Sequence, residues 1–237
     1  MEHHRRVLLK LSGEALAGEK KTGFDEAVVR SVARQVKQSA CAGVELCVVI
    51  GGGNFWRGRS SEAIGRVQAD QIGMLATVMN AIYVSEVFRS EGMATAVYTP
   101  FVCGAMTRLF SKDDADADLR AGKVVFFAGG TGHPYFSTDT GAVLRAIEME
   151  ADELLLAKAV DGVYDRDPKL DPKARRFETI SIGEVVARGL KVVDLTASAL
   201  CLDNRLPMAV FSLNEPDSIR RAMLGEVNGT RVTVPES

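Results

Sequence analysis

The chain has 237 residues, of which 46% are hydrophobic, and its 29 Lys and Arg residues nearly balance its 31 Asp and Glu residues. This length and apolar content suffice for one large α/β domain or for two tightly joined lobes. The near-neutral charge excludes a global positive field for binding nucleic acid, and the longest apolar runs are strand-sized, which predicts that no segment spans a membrane.

Strands and helices are predicted to alternate along the chain. Apolar runs predict strands at Val7–Leu11, Glu45–Ile50, Thr95–Thr99, Lys123–Ala128, Leu154–Ala157, Met208–Leu213 and Gly229–Val234, the last as an edge strand. Caps and helical periodicity predict helices from Asp25 to Ala40, up to Arg89, at Asp113–Leu119, from Ser137, at Ile182–Arg188, Thr196–Asp203 and Glu215–Met223. This alternation predicts a three-layer α/β/α sandwich with a central, mainly parallel sheet, in a single domain over residues 1–237.

The longest predicted helix ends near Arg89 and carries an apolar stripe of Ile72, Leu75, Met79, Ile82 with Tyr83, and Val87. Spacings of three and four residues place these side chains on one face of the helix. We interpret Met74, Met79 and Met93 as core filler. A helix this long and apolar can also supply an interface between subunits, and the pattern does not separate the two uses.

Glycines follow the predicted strands at one end of the sheet. The three glycines Gly51–Gly53 come directly after Ile50, and Gly129–Gly132 follows the strand that ends at Ala128. Glycine lets a ligand lie against the backbone because no Cβ keeps it away, and free N–H groups there can bind an anion. Open α/β sheets bind ligands at the carboxyl ends of their strands. We therefore expect the functional cleft at this edge.

Three cations lie close to these glycines. Lys10 interrupts an apolar strand just before Ser12 and Gly13, Arg57 follows the triple glycine, and Lys158 ends a later strand. A lysine in an apolar strand must either reach an exposed end or find an anion. Several backbone N–H donors together with three cations suit a triphosphate and a second phosphate.

Two common phosphate-binding motifs are absent from the sequence. It contains neither G-x-x-x-x-G-K-[ST] nor a Rossmann G-x-G-x-x-G after its first strand. The four cysteines form no C-x-x-C pair and the three histidines have no metal-ligand spacing, so we predict no metal site built by the protein. Scattered cysteines of this kind are typical of reduced thiols, which predicts a cytoplasmic location.

A series of longer motifs runs in order along nearly the whole chain. They are Lys10–Leu16, Val49–Asn54 with Arg57 and Gly58, Gly73–Asn80, Gly130–Gly132 leading to Thr138 and Asp139, Val160–Tyr164 with Asp167 and Pro168, and Asn204–Pro207. Together they resemble the bacterial uridylate (UMP) kinases, which belong to the amino acid kinase family. The block Met74–Asn80 is highly specific for that resemblance.

The resemblance implies an enzyme that transfers the γ-phosphoryl group of ATP to UMP, giving UDP and ADP in pyrimidine nucleotide biosynthesis. It implies Mg²⁺ held mainly by the nucleotide phosphates, and self-association as a homohexamer. The UMP side would lie mainly in the N-terminal part and the ATP side mainly from about residue 155. Activation by GTP and inhibition by UTP are left open, because Gly18–Gly23, a segment that relatives use in GTP activation, is more charged here.

The resemblance also assigns site residues. Catalytic roles fall to Lys10, Lys158 and Asp139, with Asp139 orienting the two lysines. The implied ATP-binding residues are Lys10, Leu11, Ser12, Gly13, Gly53, Arg57, Lys158, Tyr164 and Asp167. The implied UMP-binding residues are Gly52, Asp70, Thr131, Gly132, His133, Pro134, Tyr135, Phe136, Ser137 and Thr138. From the residues alone, Asp70 is better interpreted as an ordinary helix-start carboxylate. The alternative for Tyr164 is core packing, and the alternative for Asp139 is capping of its helix.

The chain departs from the resembled family at Lys158, which lies in a shortened segment, and at His133 and Ser137, where relatives commonly carry asparagine and threonine. Two other functions therefore stay open. One is a kinase of the same family acting on a carboxylate or carbamate, which Asp70 and the loop Thr131–Thr138 disfavour. The other is a nucleotide-binding storage or regulatory protein without turnover, which the retention of both lysines and Asp139 disfavours.

Overall fold

The computed structural model describes residues 4–56, 63–168, 170–190 and 192–234. The strands are β1 (Arg6–Leu11), β2 (Glu45–Ile50), β3 (Thr95–Thr99), β4 (Arg108–Leu109), β5 (Val124–Phe127), β6 (Glu153–Lys158), β7 (Thr179–Ser181), β8 (Met208–Ser212) and β9 (Gly229–Thr233). The α-helices are α1 (Gly13–Leu16), α2 (Glu26–Ala40), α3 (Arg66–Ser90), α4 (Lys112–Arg120), α5 (Thr138–Glu148), α6 (Ile182–Ala187), α7 (Leu195–Asp203) and α8 (Ser218–Met223).

The described strands form one mainly parallel sheet in the order β4-β3-β5-β2-β1-β6-β8-β9-β7. Its one antiparallel pair is β8 with β9. β1 lies between β2 and β6, in register from Arg6 with Glu45 and from Val7 with Glu153. Parallel pairing brings the carboxyl ends of these three strands to the same edge, and the predicted fold class is confirmed.

A hydrophobic core fills each side of the sheet. Val7, Leu9 and Leu11 of β1 point into the core that α2, α3 and α8 cover. Leu8 points to the opposite core, which α4, α5 and α7 cover. Because successive strand residues face opposite sides, a strand buried on both faces requires a continuous apolar run. β1 meets this requirement except at Lys10 and at its first residue, Arg6.

The ends of the sheet differ from the prediction. We expected Gly229–Val234 to form an edge strand, but β9 lies inside the sheet, between β8 and β7. The edges among the described residues are β4 and β7, neither of which was predicted. β4 has two residues and β7 has three, and runs this short give no detectable alternation of apolar and polar residues.

The predicted apolar stripe of α3 lies only partly in the core. Val87 is buried and Tyr83 packs against the core, but Met79, interpreted as core filler, is exposed. Leu75 is 53% exposed and Met79 is 49% exposed, and Ile72 and Ile82 are exposed as well. The buried face of α3 consists mostly of residues outside the predicted stripe, which include Ala76, Asn80, Ala81, Val84 and Phe88. A helix that is apolar around most of its circumference carries no sequence signal for the direction of the core.

The same helix corrects the expectation that no apolar segment is longer than a strand. α3 has 25 residues and is long and apolar enough, by length and composition, to cross a membrane. Half of its most apolar window is buried inside the protein, which is the ordinary condition of a core helix in a folded domain. The helix is therefore a weak indication of membrane insertion.

Candidate active site

Two glycine-containing loops lie side by side where β1 and β2 end. The Gly51 N–H donates to the Leu11 carbonyl at 3.0 Å. A Cβ placed on Gly13 would lie 2.2 Å from the Gly51 carbonyl oxygen, so that the approach requires glycine. The Asn80 side chain of α3 donates to the same carbonyl at 2.7 Å. The segments after both strands thus form one surface at the predicted edge of the sheet.

Three charged side chains meet beside this surface. The Lys10 ammonium lies 2.8 Å from Asp139 Oδ1 on the first turn of α5. Lys158, at the end of β6, donates to the carbonyl of Val192. Burial lowers the pKa of Lys158, the Asp139 carboxylate opposes that shift, and the Lys10 charge adds to it. The three residues predicted as catalytic are therefore close enough to interact electrostatically.

An open cleft of about 200 Å³ lies between the start of α3 and the loop that precedes α5. The predicted UMP-binding residues that line it are Gly52, Asp70, Thr131, His133, Phe136, Ser137 and Thr138. Gly53, predicted on the ATP side, also lines this cleft, whereas Gly132, Pro134 and Tyr135 belong to the same loop without lining it. Residues far apart in sequence therefore converge on one cavity next to the charged cluster.

Residues 5–212 match the model of the amino acid kinase family. The chain belongs to the amino acid kinase family. Because the match spans both glycine loops and all three charged residues, the site just described lies wholly within the family domain.

Solved structures of this family give the same fold. The UMP kinase from Bacillus anthracis is 37% identical, with a TM-score of 0.93 over 98% of this chain and 97% of that chain. The UMP kinase from Ureaplasma parvum is 32% identical, with a TM-score of 0.92 over 98% and 99%. The uridylate kinase from Archaeoglobus fulgidus is 28% identical, with a TM-score of 0.75 over 96% and 99%.

In this amino acid kinase, Asp70 ties the cleft's loop to α3. Its Oδ2 atom lies 2.7 Å from Arg66 Nε and accepts a 2.8 Å hydrogen bond from the Tyr135 N–H. Tyr135 adopts a φ of 72°, which is unusual for a residue with a side chain, and the Arg66 guanidinium lies over its ring. Asp70 is thus a structural anchor of the loop as well as a residue that lines the cleft.

Two residues predicted on the ATP side, Tyr164 and Asp167, lie between β6 and β7. Tyr164 lies in the segment after β6, and its hydroxyl donates to Asp161 at 2.7 Å. Asp167 accepts backbone hydrogen bonds through its carbonyl from Leu170 and Asp171. These contacts hold the segment in place, and the ATP-binding roles of Tyr164 and Asp167 stay predictions.

The remaining residues predicted on the ATP side are Leu11, Ser12 and Arg57. Leu11 is fully buried, so its backbone and not its side chain is what it presents to the edge. Ser12 precedes α1, and its side chain makes no capping hydrogen bond to that helix. Arg57 lies outside the described residues.

Sequence reasoning missed a pair of buried side-chain amides that support the loop Gly51–Gly53. Asn54 Nδ2 donates to Asn80 Oδ1 at 3.0 Å, and Asn80 Nδ2 donates to Asn54 Oδ1 at 2.7 Å. Asn54 Nδ2 also donates to the carbonyl of Gly23. An amide inside the apolar helix α3 was the available signal, because a buried polar side chain requires a hydrogen-bond partner.

Trp56 is a second residue that the site prediction omitted. It lines the cleft, and its indole N–H donates to the carbonyl of Ala69 at 2.8 Å. The signal was a large aromatic side chain three residues after the last glycine of Gly51–Gly53. Such a side chain combines an apolar face with a polar atom and is suited to the wall of a ligand cleft.

Proposed function

We propose that this chain is a UMP kinase, which transfers the γ-phosphoryl group of ATP to the phosphate of UMP. The observation that carries the proposal is the Lys10–Asp139 pair, which lies next to Lys158 and to the cleft lined by Asp70 and Thr138. Similarity to UMP kinases over almost the full length of the chain supports the same substrate pair. The product UDP supplies pyrimidine nucleotide biosynthesis.

The transfer requires one bond to form and one to break. An oxygen of the UMP phosphate attacks the γ-phosphorus, and the bridging oxygen between the β and γ phosphorus atoms leaves with the bond pair, as ADP. Phosphoryl transfer depends mainly on positioning and on neutralising charge. Lys10 and Lys158 supply positive charge to the transferring group, and Asp139 holds the two ammonium groups in place.

Mg²⁺ enters this proposal as a companion of ATP. Within the described part of the chain, no group of three or more His, Cys, Asp and Glu side chains could hold a metal ion. The residues present therefore do not fit a metal site built by the protein alone. Bound through the phosphates, the cation would neutralise part of the charge on the nucleotide.

A coupled assay that detects ADP tests the reaction directly. With ATP·Mg²⁺ as donor, we expect turnover with UMP and much weaker turnover with CMP or dUMP, and none with acetate or carbamate. Turnover with acetate or carbamate but not UMP would assign the chain to another branch of its family. Absence of turnover with every acceptor would favour a binding protein that keeps the fold.

We also propose that the enzyme is cytoplasmic and self-associates through α3, as part of a homohexamer. The exposed side chains Ile72, Leu75, Met79 and Ile82 form an apolar stripe on that helix. Contiguous exposed apolar surface of this kind is typical of a protein interface. Adding GTP and UTP to the same assay tests whether either nucleotide regulates the rate.

The Asp70→Asn variant should raise KM for UMP by about tenfold or more, the scale of losing a hydrogen bond to a charged group. It should leave KM for ATP nearly unchanged, because the carboxylate lines the cleft proposed for the acceptor UMP (the acceptor cleft). The same carboxylate anchors the loop before α5 through Tyr135. Steady-state kinetics with each substrate varied in turn makes the measurement. Asp113→Asn, a carboxylate in the first turn of α4, is the matched control. An equal rise in both constants would instead indicate general damage to the start of α3.

A further inference from the structure

One carboxylate joins the first turns of two helices beside the active site. Asp194 is the N-cap of α7, and its Oδ1 atom accepts from the Ala197 N–H at 3.0 Å. The same carboxylate accepts from the Ser137 hydroxyl and, at 3.0 Å to each oxygen, from the Thr140 hydroxyl. An N-cap needs only one acceptor oxygen to satisfy its helix. Asp194 therefore does more than cap α7.

The two hydroxyl groups that donate to Asp194 lie at the beginning of α5. Ser137 is the N-cap of that helix, and its oxygen accepts from the Thr140 N–H at 3.1 Å. Thr140 is almost completely buried. A buried hydroxyl bound to a carboxylate makes a charge-assisted hydrogen bond, which is stronger and more directional than a neutral one. The first turn of α5 is thus fixed to the first turn of α7.

The turn that Asp194 fixes carries two residues of the proposed site. Thr138 lines the acceptor cleft, and Asp139 pairs with Lys10. Two residues before Asp194, the carbonyl of Val192 accepts a hydrogen bond from Lys158. The loop that leads into α7 therefore contacts Lys158 on one side and the helix bearing Asp139 on the other.

We propose that Asp194 is a positioning residue for phosphoryl transfer, a role that rests on the proposed function. It holds the turn that carries Asp139 and Thr138 at a fixed distance from Lys158. Loss of this link lets the first turn of α5 shift relative to the lysines, and a displacement of about 1 Å can cost up to a hundredfold in rate. The effect falls on kcat more than on KM for ATP.

Two substitutions separate positioning from helix capping. Asp194→Ala removes the α7 cap and both hydroxyl contacts. Asp194→Asn keeps a side chain that caps a helix as well as aspartate does, but it has one acceptor oxygen and no charge for the two hydroxyls. Asp25→Ala is the matched control, since Asp25 caps α2 through the Ala27 and Val28 N–H groups, and α2 covers the opposite side of the sheet from α5 and α7.

The test measures kcat, both KM values and Tm of the full-length chain. We expect kcat to fall by about tenfold to a hundredfold in Asp194→Ala and by a smaller but clear factor in Asp194→Asn. The Tm of Asp194→Asn should fall less than that of Asp194→Ala, because the α7 cap is kept. Asp25→Ala should lower Tm with little change in kcat. In a double-mutant cycle, Thr140→Val should cost less in the Asp194→Asn background than in wild type, because both changes break the same contact.

Wild-type kcat in Asp194→Asn, or equal losses of kcat in Asp194→Ala and Asp25→Ala, would overturn the proposal. Fully additive effects of Asp194→Asn and Thr140→Val would do the same. Failure of the wild-type chain to phosphorylate UMP would instead refute the proposed function. In that case, hydrogen exchange of the amides of residues 138–141 still decides whether Asp194 fixes α5, since loss of the link must speed their exchange.

Discussion

The Lys10→Ala variant is expected to phosphorylate UMP with a kcat about a hundredfold or more below that of wild type. This is the scale for losing one preorganised donor of charge at the reacting group. The Lys10 ammonium lies at the end of β1, 2.8 Å from Asp139, and faces the edge where both glycine loops meet. Steady-state kinetics at saturating ATP·Mg²⁺ and UMP measures the change.

The fold should survive this substitution, because Asp139 keeps a nearby positive charge in Lys158. Circular dichroism and Tm check that point. Lys112→Ala is the matched control, since Lys112 pairs with Glu150 on the surface at 2.7 Å, and its kcat should equal that of wild type. An unchanged kcat in a folded Lys10→Ala protein would remove Lys10 from the mechanism.

The centre of the fold was predictable because its signals are local. β1, β2 and β6 are buried on both faces, so their sequences are continuous apolar runs with glycines or small residues at their ends. Lys10 stood out because a charge inside such a run is costly unless it finds a partner. The structure gives Lys10 that partner in Asp139, which lies 129 residues later in the chain and opens a helix with a clear N-cap.

What the sequence could not predict depends on the surroundings of each element. The residues of β7 become a strand because β9 pairs with them, and the three residues have no pattern of their own. The apolar stripe of α3 could not be assigned to the core or to an interface, because periodicity locates a face without saying what covers it. Leu75 and Met79 are exposed, whereas Asn80 is buried against Asn54.

The candidate site was likewise predictable only in part from the sequence. Residues within one motif, such as Gly51–Gly53 or Thr131–Thr138, could be assigned together. The Ser137–Asp194 hydrogen bond joins residues 57 positions apart, and no sequence spacing pairs them. Asp194 is indistinguishable in sequence from any aspartate that caps a helix, so only the packing of α7 against α5 reveals its second use.

The pH dependence of the reaction follows from the acceptor. A phosphate monoester has a second pKa of about 6, so UMP is already a nucleophile at neutral pH and needs no base from the enzyme. The acid limb of kcat/KM for UMP should therefore follow ionisation of the substrate phosphate. His133 lines the cleft, so it is the histidine to test as a general base. The His133→Gln variant should retain that limb.

Asp139→Asn is expected to lower kcat by about a hundredfold, because Lys10 loses the carboxylate that positions it. The acid limb should stay in place, since the substrate sets it. The alkaline limb, which follows loss of the Lys158 proton, should move to lower pH. Burial already lowers the pKa of Lys158, the Asp139 carboxylate opposes that shift and Lys10 adds to it, so removing the carboxylate makes Lys158 lose its proton at a lower pH.

A pH–rate profile of wild type, His133→Gln and Asp139→Asn at saturating ATP·Mg²⁺ makes this measurement, with kcat/KM for UMP determined at each pH. Abolition of the acid limb by either substitution would mean that an enzyme base takes part, and this account of the reaction would be wrong. An alkaline limb that stays in place in Asp139→Asn would mean that the Asp139 carboxylate does not raise the pKa of Lys158. The lysine would then be charged through contacts other than this carboxylate.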